Sequence, residues 1–194
     1  MKKEKFRHNM ASERIYEAEM SDVRTAGEEP ADVYVGKDYP FHIVLVEPEI
    51  PANTGNISRT CALTGCMLHL VKPLGFSIDD RMLKRAGLDY WDHLDIEIHE
   101  SLDEFMEEYA GRKMFFASTH AVKNYASVNY EPGSFILFGK ETAGLPRELI
   151  TSNAETAIRI PMGDDPDLRS LNLSNSVAIV LYEALRQTGF PKLV

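Results

Sequence analysis

Short apolar runs recur along this chain, and three of them end in segments rich in glycine, asparagine and proline that lead into a helix-like stretch. His42 to Val46, Met67 to Val71, Met114 to Ala117, Ser134 to Phe138 and Thr156 to Ile160 are runs of this kind. Compact apolar runs bounded by turn residues read as buried strands. Strands that alternate with helices then require a mostly parallel sheet with helices on both faces, which is the fold class expected here: α/β. In such folds the strand ends deliver the loops that build ligand sites.

The helices expected between these strands are marked by their ends. Ile57 to Thr64 is closed by Gly65, a basic stretch near Asp80 to Ala86 by Gly87, and Asn172 to Gln187 by Gly189 with Pro191 beyond. Leu94 to His99 alternates like a strand, Leu102 to Tyr109 reads as a helix, and Pro146 takes the first position of a short helix. Residues 1–40 are polar and acid-rich, with Gly27, Pro30, Gly36 and Pro40 in their second half. They can bury little apolar surface and read as a disordered or loosely attached extension, with a short helix near Ser12 to Met20, ahead of a domain spanning 41–194.

No apolar run reaches the length of a membrane span, and the start of the chain lacks the apolar core of a secretion signal, so the expectation is a soluble, cytoplasmic protein. Cys61 and Cys66 are the only cysteines; with no second pair they read as buried reduced thiols, and no metal site is expected. A net charge of −9 argues against a protein that grips nucleic acid with its whole surface. The charge is nevertheless segregated. Lys72, Arg81, Lys84 and Arg85 lie close together against only Asp79 and Asp80, whereas acids gather between Glu97 and Glu108. A one-sided contact with a polyanion and an ordinary solvated face both fit that pattern.

Three loops carry the chemistry. The first, Asn53-Thr54-Gly55-Asn56, lies between a strand and a helix, where a sharp turn would present amides to a phosphate or another anion. Arg59, three residues after Asn56, would aim its fork at the same anion. The second, Gly139-Lys140-Glu141-Thr142-Ala143-Gly144, has the glycine spacing of a phosphate loop but no Lys-Ser/Thr pair after Gly144, and the chain has no G-x-G-x-x-G. What remains is a glycine-lined turn that a flat ligand can approach closely. The third runs from Ile160-Pro161-Met162 through an acidic loop, Gly163 to Asp167, to Arg169-Ser170-Leu171-Asn172-Leu173-Ser174-Asn175. Beyond it Val177 to Tyr182 are apolar in unbroken succession, so that helix needs cover on two sides, and a second subunit is the simplest second cover.

Glu47-Pro48, the Asn53 to Arg59 segment, Phe138 to Pro146 and Ile160 to Asn175, in this order, resemble the three motifs of the SPOUT RNA methyltransferases. Within that superfamily the similarity is greatest to the TrmL (YibK) type, which methylates the 2′-hydroxyl of the tRNA wobble ribose; Arg85 to Tyr90 is also similar to that group. The resemblance covers the chain from Phe41 onward. It implies a C-terminal trefoil knot, S-adenosylmethionine as cofactor, tRNA as substrate, and a homodimer through the last helix. It further implies cofactor contacts at Ala117, Gly139, Glu141, Gly144, Ile160, Met162, Ser170 and Leu171. Arg59 would be catalytic, with Asn172 and Ser174 organising the site and Glu141 either shaping its turn or balancing the cofactor's charge. Asn53, Asn56, Arg81, Lys84 and Arg85 would meet the RNA. Residues 1–40 and the long acidic loop depart from the short members of the group. Methylation of another RNA such as rRNA, an RNA-binding relative without turnover, and a phosphate-handling α/β enzyme are the alternative readings.

Overall fold

The computed structural model describes residues 39–77, 94–165 and 170–194. The proposed basic helix near residues 80–86, with Arg81, Lys84 and Arg85, lies outside the described residues, as do Arg169 and residues 1–38. Among the described residues seven strands form one sheet: β1 Phe41–Val46, β2 Met67–Val71, β3 Ile96–His99, β4 Met114–Ala117, β5 Lys123–Asn124, β6 Ser134–Phe138 and β7 Ala157–Arg159. Their spatial order is β3-β2-β1-β6-β4-β7-β5, and every pairing is parallel. The two-residue β5 and the 3-10 turn Tyr125–Ser127 that follows it were not legible as elements in the sequence.

The sheet is buried on both sides because side chains alternate along each strand. Phe41, Ile43 and Leu45 of β1 belong to one apolar core with Ile57, Val177, Val180 and Leu181. Val44 and Val46 belong to the other, with Phe105 and Ile150. The first core is covered by helices α1 (Pro51–Thr64) and α4 (Leu173–Gln187), the second by α2 (Leu102–Glu108) and α3 (Arg147–Ser152). Burying a residue such as Leu181 stabilises the fold by roughly 1.5–3 kcal/mol, so α4 is fixed mainly by its apolar side.

Two helix starts differ from the sequence expectation. Helix α1 begins at Pro51, six residues before Ile57, so Asn53 to Asn56 lie inside the helix and do not form a turn ahead of it. Pro51 needs no hydrogen-bond acceptor at the first position, and Ile50 receives the first helical bonds from the Asn53 and Thr54 amides. Gly55 and two asparagines argue locally for a loop; tertiary contacts described below override them. Pro146 caps α3 in an extended conformation and is not its first residue. The ends are as expected: Gly65 closes α1 at φ 67°, and Gly189 follows α4 at φ 77°.

Candidate active site

Parallel strands all end on one edge of the sheet, and there β4, β6 and β7 run into the segments Ser118–His120, Gly139–Gly144 and Ile160–Met162. These segments, with Ser170–Leu173, enclose a cavity of about 600 Å³. That volume is in the range of pockets for drug-sized ligands. Phe138, Ile158, Ile160 and Val180 supply apolar wall; the 139–144 turn supplies backbone. All eight positions expected to meet the cofactor, from Ala117 to Leu171, line this cavity. Ser118, Thr119, His120 and Ser176 line it as well and carried no sequence signal, since loop polarity alone does not say which way a side chain faces.

The motif residues are tied together by one polar network. The Glu141 carboxylate accepts from the Glu49 amide at 2.8 Å, the Ile50 amide at 3.2 Å and Asn53 Nδ2 at 2.9 Å. Asn172 Nδ2 in turn donates to Asn53 Oδ1 at 2.9 Å. Asn172 Oδ1 accepts from the Ser174 amide, the Ser174 hydroxyl and the Asn175 amide, capping α4. One chain of bonds therefore joins all three motifs through Asn53, which is 5% exposed.

This arrangement shows what Glu141 and Asn172 bond to, and it corrects one expectation. The carboxylate of Glu141 is engaged by three donors at the start of α1, which ties the turn to the helix start, and the residue also lines the cavity. The acceptor atom of Asn172 is likewise taken up by the α4 cap, which makes it an organiser. Asn53 does not share an open side with Asn56 and Arg59. It turns inward, and the amides before α1 meet Glu141 in place of an external anion. Asn56 and Arg59 are exposed, Arg59 lies in the third turn of α1, not the first, and neither lines the cavity.

Gly139 is required by its own turn. A Cβ there would lie 2.0 Å from the Gly144 carbonyl carbon and 2.1 Å from the Leu145 nitrogen. The turn is closed by the Gly144 amide donating to the Lys140 carbonyl at 2.8 Å, with Gly144 at φ 70°. Any side chain at 139 therefore collides with the turn's own backbone before it reaches a ligand. Lys140 pairs with Glu47 at 2.7 Å, a hydrogen bond that holds its ammonium charged above the ordinary lysine range.

Away from this edge, His69, Glu97 and His99 bring three metal-ligating groups together among the described residues. His69 Nδ1 faces His99 Nε2 at 3.1 Å, and His69 Nε2 faces His42 Nδ1 at 2.9 Å. The ring centroids stand 5.4 Å and 5.2 Å apart, as they do when imidazoles meet end to end through nitrogens. An ion between His69 and His99 would sit off both lone-pair axes, so the geometry is that of a hydrogen-bonded chain of imidazoles. Cys61 and Cys66 are buried free thiols, and burial pushes both pKa values up, Cys66 to about 11.

A parallel α/β sheet with a cavity at its strand ends, built by three interlocked motifs, defines the class as an α/β ligand-binding fold. Residues 40–182 match the SpoU rRNA Methylase family, and the chain belongs to that family. It is 50% identical over 151 residues to a protein of Methylovorus glucosotrophus named tRNA (cytidine(34)-2′-O)-methyltransferase, covering 77% of this chain and 97% of that one. A structure titled as giving insights into the 2-OH methylation of C/U34 on tRNA superposes with a TM-score of 0.72 at 42% identity, covering 77% and 96%. An AdoMet-bound rRNA methyltransferase of Sinorhizobium meliloti superposes with a TM-score of 0.67 at 27% identity, covering 77% of this chain and 57% of that one.

Proposed function

We propose that this protein transfers a methyl group from S-adenosylmethionine to the 2′-hydroxyl of a tRNA ribose, at cytidine or uridine 34, the wobble position. The observation that carries this reading is the cavity at the strand ends, walled by all three motifs of a methylase family. Its relatives' names direct the reading to tRNA over rRNA. The cavity fits the cofactor: its volume suits a nucleoside with an amino-acid tail, its apolar walls suit a purine, and the open backbone of the 139–144 turn offers edge-on hydrogen bonds.

When bound, the cofactor supplies a methyl group on a positively charged sulfur. Transfer breaks the sulfur–methyl bond, forms an oxygen–methyl bond and releases the hydroxyl proton. The chain's part is mainly to position the reactants. Asn53, Glu141 and Asn172 lock the motif segments into one frame. Arg59, exposed on α1, would hold the phosphate beside the target ribose and lower the pKa of its hydroxyl, with the phosphate or water taking the proton. Arginine is too basic to act as the base itself.

The finer architecture follows the same reading. The C-terminal segment would be threaded as a trefoil knot, and a second copy would cover α4. Support for the dimer is the outward side of that helix, where Ile179 and Tyr182 remain 37% and 50% exposed. Val180 is fully buried within the single chain, so Val180→Glu would unfold the protein; Tyr182→Glu is the variant that tests dimerisation. Residues 1–40 would be an extension dispensable for chemistry. No helix among the described residues is long and apolar enough to cross a membrane, and a tRNA-modifying enzyme would work in the cytoplasm.

The deciding experiment is methylation of unmodified tRNA by the purified protein with labelled cofactor, followed by mapping of 2′-O-methyl sites. Incorporation at nucleotide 34 is expected. Incorporation into rRNA alone would replace the substrate, and cofactor binding without turnover on any RNA would leave an RNA-binding relative.

A further inference from the structure

Three consecutive residues of the cavity turn each reach across to the segment between β1 and α1. Lys140 donates to Glu47 at 2.7 Å. Glu141 accepts from the amides of Glu49 and Ile50 and from Asn53. Thr142 donates twice to Glu49, from its amide and from its hydroxyl, each at 3.0 Å. Glu49 thus donates its amide to the Glu141 carboxylate and accepts at its own carboxylate from Thr142, bonds that span 92 and 93 positions of sequence. The same three residues line the cavity, as do Ile50 and Asn53. The turn and the start of α1 are thus clamped to each other where both border the ligand space.

The segment that grips the wall is itself held with little slack. Glu47 adopts φ 52°, a left-handed conformation that costs a non-glycine residue energy and persists where the surroundings impose it. Its amide donates to the Val71 carbonyl at 2.9 Å. Behind Glu49 sits Gly75, where a Cβ would come within 2.7 Å of the Glu49 Cα, and the Gly75 amide donates to the Pro48 carbonyl at 2.9 Å. The carboxylate of Glu49 is therefore presented from a fixed backbone to a turn that has no helix or strand of its own.

We propose that Glu49 is a positioning residue: by holding both donors of Thr142 it sets the cavity wall at 140–142, and through Glu141 it couples occupancy of the cavity to the seating of α1, which carries Arg59. This rests on the reading of the cavity as the S-adenosylmethionine site. A ligand that fits only the closed wall favours the clamped state of segment 47–53. By reciprocity, whatever fixes α1 raises affinity for the ligand by the same factor.

The test is cofactor affinity by calorimetry for wild type, Glu49→Ala, Glu49→Gln and Thr142→Val, with steady-state kinetics on tRNA and amide exchange measured in parallel. Wild type comes first: if it does not bind S-adenosylmethionine, the reading of the cavity fails, independently of Glu49. If it binds, Glu49→Ala is expected to weaken binding about five- to tenfold, since these bonds to a carboxylate are partly exposed. Its kcat at saturating cofactor should stay within about threefold of wild type, a split between KM and kcat that general unfolding does not produce. Glu49→Gln keeps an acceptor for Thr142 and should recover part of the affinity. Added cofactor should slow exchange of the Glu49 and Ile50 amides in wild type and much less in Glu49→Ala. If Glu49→Ala does not fold, Thr142→Val decides, with a two- to fivefold loss of affinity expected. Affinity unchanged in the folded Glu49→Ala, or in Thr142→Val where that variant decides, overturns the proposal.

Discussion

Two polar networks lie in this sheet, and they are built in opposite ways. The network of Glu141, Asn53 and Asn172 is carried by segments beyond the strand ends, joins residues far apart in sequence, and borders a cavity. The chain of His42, His69 and His99 is carried by β1, β2 and β3 themselves, and Phe105, Tyr109 and Phe135 pack around it. His69 is 0% exposed and His99 2%. Tyr109 extends the cluster by donating to Glu97 at 2.6 Å. A sealed network whose members satisfy each other specifies packing, because any rearrangement strands a buried polar group. A network left open on one side keeps a geometry available to something outside the chain. Polar residues alone do not separate the two; the position of the network relative to the strand ends does.

The comparison breaks most sharply at Gly139. Gly139→Ala should lower cofactor affinity by about two orders of magnitude or more, because the added carbon displaces the 144–145 backbone that walls the cavity. Calorimetry on the folded variant checks this, and affinity within tenfold of wild type would remove the turn from the site. Next is Arg59→Ala, expected to lower turnover about 10² to 10³-fold while leaving cofactor affinity and melting temperature unchanged. Arg59→Lys should rescue little, since the planar fork is lost. A variant retaining more than about a tenth of the rate, a loss under ~1.4 kcal/mol, would make Arg59 a bystander.

The histidine chain should answer in stability and not in binding. His69→Leu keeps most of the volume but removes one imidazole partner each from His42 and His99, at a cost of about 2–4 kcal/mol in denaturant unfolding, with cofactor affinity of the folded protein unchanged. The same chain gives a pH signature. Burial, aided by Arg112, lowers the His42 pKa from 6.5 to about 4, and burial holds His69 well below its ordinary value. As pH falls through 6.5 the unfolded chain takes up protons that the folded chain refuses until about pH 4. This stabilisation is therefore complete above pH 6.5 and declines between 6.5 and 4. Unfolding curves at pH 7.5 and pH 5 should show the decline in wild type and a shallower one in His69→Leu.

Five of the seven strands were legible because they are continuous apolar runs with clear ends, and β3 because it alternates, signals that need no tertiary information. So were Gly65 and Gly189 as helix ends, and the motif residues that line the cavity. What was not legible depended on contacts distant in sequence. Gly55 and the two asparagines marked residues 51–56 as loop because the bonds that hold them in a helix come from Glu141, about ninety positions away. Gly139 lines the cavity as expected of its motif, but that a side chain there would meet Gly144 and Leu145 ahead of any ligand was not legible. Val180 lay in an apolar run with no sign of which residues face inward. The histidines sat inside strands, and a lone histidine in an apolar strand gives no hint of two others on neighbouring strands, each offset by two positions in register.

The smallest expected effect is at Asn172, and it separates the two roles its amide plays. Its oxygen caps α4, while its Nδ2 donates to Asn53 Oδ1. Asn172→Ala removes both and should destabilise the protein by about 0.5–2 kcal/mol, the usual cost of a lost cap. Asn172→Asp keeps a cap acceptor, removes the donor and sets a carboxylate oxygen against Asn53 Oδ1. Asn53 cannot compensate by rotating its amide, because its Nδ2 already faces Glu141 and rotation would set oxygen against carboxylate. Asn172→Asp should therefore keep the cap's share of the stability and lose about 1 kcal/mol through the Asn53 link. Its cofactor affinity should fall with that of Asn172→Ala. If Asn172→Asp instead binds cofactor as wild type does while Asn172→Ala does not, the cap alone matters, and the three motifs are not joined through Asn53 in any way that binding can feel.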